Sequence, residues 1–441
     1  MLERKNDAGR STKVADLAKF AGERVELQAW VQKVRDQKRV QFVILRDASG
    51  MAQAVHEKIE GAPLGGLISS LHEQSVVRVV GRVVVDDRVK LGGLEIQIEH
   101  LEPMSMAAPQ LPITPDSSPS KRQAWRFIEM RHPKVRAVFE VQTAIEGAMR
   151  KQWIADDFLE IHTPKLMGTA SESGAEVFKV DYFDQPAFLA QSPQFYKQMA
   201  MAAGLDRVFE IGPVFRAEPS FTTIHATEFI SVDVELAWID GVEDVMAYEE
   251  RWLTAVLGEL KRSHGDLIVD TFGIEPPDPR PPFPRVTMRN ARELVRELGG
   301  TVPAKEDLDP ESQRLLANYF AETEGAELFF VTEYPVEVRP FYHMLAAPGA
   351  DVTRSFDLIW RGIEITTGAQ REHRLEVLHA QAETKRMDPA ELDFYFDFFR
   401  YGCPPHGGFG FGLARMMMVL LGLPNIRDVT FLNRTPSRLT P

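Results

Sequence analysis

One cysteine, Cys403, in 441 residues leaves no partner for an internal disulfide. No apolar run approaches the eighteen or so residues that cross a bilayer, so no membrane span is expected. The opening MLERKNDAGRSTK lacks the apolar core of a signal peptide, and with the single cysteine it points to a cytoplasmic protein. Net positive charge is missing too: the chain carries −13, a field that repels phosphate and excludes indiscriminate coating of nucleic acid. What is present, 44% hydrophobic and 26% charged residues, is the composition of a globular protein long enough for one small and one large domain. The charge is uneven. Residues 1–104 balance 16 Lys and Arg against 15 Asp and Glu, with Lys33, Arg35, Lys38 and Arg39 clustered in a basic face or a solvated loop.

From Val25 to Leu101, runs rich in Val and Ile (VELQAWVQKV, VQFVILRD, MAQAVHE, SVVRVVGRVVV, LEIQIEHLE) are separated by turn residues. Five strands with one helix near 62–74 suit a closed barrel of the oligonucleotide-binding type, and propensity also allows an SH3-like barrel. This sets a first domain at 1–104, and the Pro- and Ser-rich stretch that follows makes 105–132 a linker. Val135, Val138, Phe139, Val141, Ile145 and Met149 then fall at helical spacing, predicting a helix that ends near Trp153. In the domain 133–441, strand-like runs (FLEIHTP, AFLAQSP, RVFEIGPVF, EFISVDVELAW, ELFFVTEYP, SFDLIWRGIEITTG) mix with helical ones without a βαβ rhythm. The expected class is α+β around an antiparallel sheet.

Three clusters carry chemistry. Phe215-Arg216-Ala217-Glu218, with His225, Glu228 and Phe229 beyond a polar loop, reads as a hairpin. Its arginine and ring could hold a phosphate and a base, or form structural ion pairs. GFGFGLAR, Gly408 to Arg415, is not a dinucleotide fingerprint, because too little chain follows for a βαβ unit. Its glycines instead let the backbone approach a ligand, with Arg415 as a phosphate partner at a helix start. Asp357, Glu364 and the Thr367 hydroxyl offer hard oxygen ligands of the kind Mg²⁺ accepts while bridging phosphates, or are exposed strand acids without a metal.

In this order the segments resemble class II aminoacyl-tRNA synthetases of the aspartyl, asparaginyl and lysyl subgroup, over nearly the whole chain from Glu23 to Pro441. FLEIHTPKL is similar to the first class motif, FRAE with His225 and Glu228-Phe229 to the second, and GFGFGLAR to the third. AQSPQFYKQ, EITTGAQREHR and YGCPPHGG lie between them. The absence of a large insertion makes the chain look like the shorter archaeal and eukaryotic aspartyl enzymes.

The resemblance implies an N-terminal OB-fold anticodon-binding domain, a class II catalytic domain on an antiparallel sheet, and a symmetric homodimer formed through Pro164. It implies ATP held by Arg216, Glu218, His225, Phe229, Glu364 and Arg415, with Arg216 and Arg415 as the catalytic arginines and Asp357, Glu364 and Thr367 serving Mg²⁺. L-aspartate would be held by Glu172, Gln194, Lys197, Asp233 and Arg371, and the anticodon by Arg35, Phe42 and Gln53. By residue type alone, Phe42 would be barrel core. The nucleic-acid partner implied is tRNA(Asp), with tRNA(Asn) open as a second one.

Lys197 and Arg371 together favour aspartate, because neutral asparagine would leave a buried cation pair without a counter-ion, a cost of several kcal/mol on the order of a broken buried pair. An asparaginyl enzyme, an amide-forming paralogue and a non-catalytic tRNA-binding paralogue are the rival readings. The barrel speaks against the second and the retained arginines against the third. The chain departs from the family pattern at Ala414, where an acid usually precedes the motif arginine, at Thr367, which replaces a serine, in the loop 219–224, which lacks the usual His and Arg, and at Asn433, which stands for a proline.

Overall fold

Period-two burial builds the N-terminal unit. The computed structural model describes residues 12–169, 176–219, 222–302 and 306–441, and it divides between Ser117 and Ser118. Strands β1 (Arg24–Asp36), β2 (Val40–Arg46), β3 (Met51–Glu57), β4 (Val76–Val85) and β5 (Leu94–Ser105) close into a barrel in the order β1-β2-β3-β5-β4. Val25, Leu27, Ala29 and Val31 of β1 point inward against Val77, Val79 and Ile96, each large apolar side chain contributing about 1.5–3 kcal/mol on burial. A helix at Pro63–Ser69 joins β3 to β4, and β3 closes on β5 in parallel. That is the OB arrangement, not the SH3-like one.

The expected linker is shorter than its composition suggests. Residues 118–132 belong to the second unit, where short helices at Pro119–Ala124 and Arg126–Glu129 dock on the C-terminal segment. Arg126, 1% exposed, donates to the carbonyls of Asp428, Thr430 and Phe431, and Gln123 donates to that of Arg427. Polar side chains that satisfy buried carbonyls hold this stretch in place of a hydrophobic period, so pattern reading could not find it.

The second unit is organised on one large sheet. Its strands are β6 (Leu159–Glu160), β7 (Leu166–Met167), β8 (Lys179–Tyr182), β9 (Gln185–Leu189), β10 (Arg207–Phe215), β11 (Glu228–Ala237), β12 (Arg285–Thr287), β13 (Leu328–Thr332), β14 (Ser355–Trp360), β15 (Ile363–Arg371) and β16 (His406–Gly412). Eight form one sheet in the order β12-β13-β14-β15-β16-β11-β10-β6, antiparallel except at its two margins, where β12–β13 and β6–β10 are parallel. β7, β9 and β8 make a small separate sheet. FLEIHTP, expected as a full strand, pairs at β6; Ile161 still donates to the Phe209 carbonyl, but the Thr163 N–H turns to the Glu210 carboxylate at 3.0 Å and leaves the ladder.

One sheet face is apolar. Val232 and Val234 of β11, Phe409 of β16 and Leu358 of β14 meet the helices Pro133–Ala155 and Val242–Phe272, where Trp153 stacks on Trp252 with ring centroids 4.7 Å apart. The alternate residues Ser231, Asp233, Gly410 and Thr367 line the opposite face. Gly408 and Gly410 are therefore strand residues in the sheet centre, not loop. A Cβ at Gly408 would sit 2.0 Å from the Val234 carbonyl oxygen and 2.5 Å from Glu235 Oε2, and one at Gly410 would sit 2.8 Å from Asp233 Oδ1. The glycines clear room for two carboxylates lying across β16. Among the described residues, no helix is long and apolar enough to cross a membrane.

Candidate active site

The polar face of the sheet floors a cleft of about 350 Å³ lined from the β10–β11 connection, β11, β15, β16, the helix Gln194–Ala202 and the segment 338–343. At one end lies an ion network. Lys197, 1% exposed, sits 3.0 Å from Asp233 Oδ1 and 3.3 Å from Glu235 Oε2. Arg371 donates from Nε to Glu235 Oε1 at 3.0 Å and from Nη2 to the Gly408 carbonyl at 3.1 Å. Ser231 donates to Asp233 Oδ2 at 2.6 Å, and Gln194 borders the same space. Burial would raise the Glu235 carboxyl, but Arg371 and then Lys197 outweigh it and hold the pKa below the ordinary value. His343 stays neutral, held well below its usual pKa by burial and by the adjacent Arg371, so its Nε2 accepts from Nη1 at 2.9 Å.

The expected cation pair therefore converges, but it is not bare. Glu235 stands between the two cations, and residue-type reasoning missed it. The strand alternation that places Ser231 and Asp233 on this face places Glu235 there too, which is the signal that could have found it.

At the other end, Arg216 follows β10 and its guanidinium carbon lies 5.5 Å from the Phe229 ring centroid across the hairpin. His225 Nδ1 meets the Thr222 hydroxyl at 2.6 Å, and Nε2 lies 3.9 Å from Glu218. Burial, then Arg415, lowers the His225 pKa against the opposing pull of Glu218 and Glu364. Arg415, in the first turn of the helix Leu413–Leu420, donates to the Glu364 carbonyl at 3.1 Å and lies 3.5 Å from Glu364 Oε1. Those contacts support the arginine where Ala414 supplies no acid. Thr367 donates its hydroxyl to Glu364 at 3.1 Å.

Asp357 departs from expectation. It is opposite Thr367 in the β14–β15 register, yet it is 1% exposed, does not line the cleft and lies 2.7 Å from Arg339 Nη2. Burial raises its pKa to about 7 against the pull of Arg339. The sequence cannot show this, because Arg339 arrives from a distant segment. For a divalent cation, the hard oxygens at the cleft are Glu364 and Thr367, which fit an ion that shares phosphate ligands. Among the described residues, no group of three or more His, Cys, Asp or Glu forms a ligand set by itself.

Glu172 lies outside the described residues, as does part of the 219–224 loop. In the barrel, Arg35, Phe42 and Gln53 share one outer surface. Arg35 lies opposite Phe42, 5.6 Å from its ring centroid, and donates to Gln53 Oε1 at 3.2 Å. Phe42 is half-buried and absent from the core cluster, so residue type alone misplaces it.

Sequence comparison matches residues 118–436 to the family described as tRNA synthetases class II (D, K and N), and residues 25–104 to the OB-fold nucleic acid binding domain. The chain is 42% identical to the aspartate–tRNA(Asp) ligase of Pyrococcus horikoshii, over 95% of this chain and 97% of that protein. It is 41% identical to the aspartate–tRNA(Asp/Asn) ligase of Aeropyrum pernix, over 97% and 98%. Among solved structures it is similar to asparaginyl-tRNA synthetase from Pyrococcus horikoshii complexed with asparaginyl-adenylate, with a TM-score of 0.90, 31% identity and coverage of 98% and 100%. Aspartyl-tRNA synthetase from Entamoeba histolytica gives 0.86 and 29%, over 99% and 94%.

Proposed function

The chain belongs to the class II aminoacyl-tRNA synthetases of the aspartyl, lysyl and asparaginyl group, and we propose that within it the protein activates L-aspartate with ATP and transfers it to the 3′ end of tRNA(Asp). One observation carries the amino-acid choice: Lys197 and Arg371 converge on Glu235 in a buried pocket. The substrate ammonium group would neutralise Asp233, with Gln194 beside it. Two cations against Glu235 then leave one positive charge, which a side-chain carboxylate balances and a neutral amide does not.

The α-carboxylate of aspartate attacks the α-phosphorus of ATP and pyrophosphate leaves. Arg216 holds the α-phosphate and takes up charge on its oxygens, while Phe229 and Arg415 hold the adenine between them, with Glu218 and His225 completing the nucleotide contacts. Mg²⁺, held through Glu364 and Thr367, would supply further neutralisation of the phosphate oxygens. The terminal ribose of the tRNA then accepts the aspartyl group from the adenylate, with no covalent enzyme intermediate.

The outer barrel surface of Arg35, Phe42 and Gln53 would stack on and read unpaired anticodon bases. Exposed Leu159 and Leu166 flank Pro164 and offer apolar surface to a second copy, which supports a homodimer. Relatives named for tRNA(Asp) and for both tRNAs are similarly distant, so tRNA(Asn) is a second candidate acceptor. ATP–pyrophosphate exchange with aspartate against asparagine tests the activation step, and exchange that depends on asparagine overturns the reading. Charging of the two purified tRNAs tests the transfer.

A further inference from the structure

Arg339 has no part in the nucleotide contacts assigned above, yet it is a buried cation on the cleft wall. It is 7% exposed and lines the cleft. Three features fix its guanidinium. Nε donates to the Ser355 hydroxyl at 3.3 Å, Nη2 pairs with Asp357 at 2.7 Å, and the plane lies over the Tyr334 ring with the guanidinium carbon 3.7 Å from its centroid. Nη1 makes no hydrogen bond with any described residue. A guanidinium anchored on one edge and one face, with its remaining nitrogen at a cleft, is organised in advance to receive an anion.

The strand register says where in the cleft this edge lies. Ser355 and Asp357 belong to β14 and stand directly opposite Ala369 and Thr367 of β15. Arg339 therefore covers the β14 flank, beside the Glu364 and Thr367 oxygens and away from the Arg216–Phe229 hairpin across the sheet. A nucleotide held at Arg216 by its α-phosphate has its remaining phosphates to place, and Arg415 is already drawn towards Glu364. Asp357 and Asp307 act on Arg339, and Glu364 acts on both of those acids, so a bare phosphate chain would be repelled from this flank without the arginine.

We propose that Arg339 is a further nucleotide-binding residue, which receives the phosphates beyond the α-phosphate and so distinguishes a triphosphate from a monophosphate. Asp357 and Tyr334 act through it as positioning residues. The inference rests on the ATP-dependent reading of the site.

The test is calorimetric binding of ATP and of AMP, each with Mg²⁺, to the full-length wild type and to Arg339→Gln, Arg339→Lys and Asp357→Asn. Arg339→Gln should weaken ATP about ten-fold or more, the loss of a charge-assisted hydrogen bond, and change AMP by less than about two-fold on the same bookkeeping. Arg339→Lys, which keeps the charge and guards against misfolding of the first variant, should recover part of the ATP affinity. Asp357→Asn should weaken ATP more than AMP, by less than Arg339→Gln does. Equal weakening of both nucleotides by Arg339→Gln, or an undiminished preference for ATP, overturns the proposal and leaves the parent reading standing. A wild-type protein that binds neither nucleotide overturns both.

Discussion

Replacing Lys197 by methionine removes one charge and keeps most of the volume, which isolates the electrostatic argument for aspartate. The ammonium group lies 3.0 Å from Asp233 and 3.3 Å from Glu235. At an effective dielectric of about 20, each contact is a gross attraction of about 5 kcal/mol. Desolvation cancels much of that, and truncating one partner of a buried charged pair costs about 2–5 kcal/mol. With aspartate bound, Lys197→Met leaves the substrate carboxylate and Glu235 to share Arg371 alone. The expected loss in kcat/KM for aspartate is therefore about 30-fold to about 5,000-fold, since each 1.36 kcal/mol is tenfold. A neutral side chain forfeits no such attraction, so the residual rate with asparagine should change by less than about three-fold on the same arithmetic. ATP–pyrophosphate exchange with each amino acid reads both numbers, and circular dichroism confirms that the variant is folded. Equal losses for aspartate and asparagine would show that Lys197 is a structural cation, and the reasoning would be wrong.

Three further outcomes follow from the geometry. Phe42→Ala should weaken tRNA binding by about 1–3 kcal/mol, the worth of one base stacked on a ring, and leave pyrophosphate exchange unchanged; a filter-binding titration beside the exchange assay checks both. Glu364→Gln should raise the Mg²⁺ concentration for half-maximal exchange by at least about ten-fold, a loss at the low end of that for outer-shell partners, and an unchanged Mg²⁺ requirement would remove Glu364 from the ion. Glu249, 1% exposed on the helix Val242–Phe272, has its pKa raised by burial to about 8. Because the folded state binds this proton more tightly, its stabilisation is full below the unfolded pKa and is lost as pH rises through about 8. Relative to Glu249→Gln, the wild type should lose about 2 kcal/mol between pH 6.5 and 8, read from urea midpoints, and parallel profiles would show that Glu249 is ionised throughout.

How much of this was legible depended on whether a residue's role is set by its own neighbours in sequence or by a distant segment. The five barrel strands and the helix Pro133–Ala155 come from local period, and the sequence places them within a few residues. GFGFG could be read as room for a ligand, but its place as the central strand β16 is set by β11 and β15 on either side, and glycine has no strand propensity to announce it. The same distinction sorts the site. Lys197, Asp233 and Arg371 come together because each lies on an element whose buried face is fixed by its own pattern. Asp357 shares its strand register with Thr367 and was expected at the cleft, but Arg339, reaching in from beyond β13, claims its carboxylate first. Glu235 is the converse case: alternation along β11 put it on the polar face, and the two cations meet only because it is there. Charge in this pocket is thus organised before substrate arrives, with the acid holding Lys197 and Arg371 within reach of one carboxylate. If this pocket holds the amino acid as proposed, selection between aspartate and asparagine is a matter of the last uncompensated charge and not of shape, and charge is the one property in which the two side chains differ greatly.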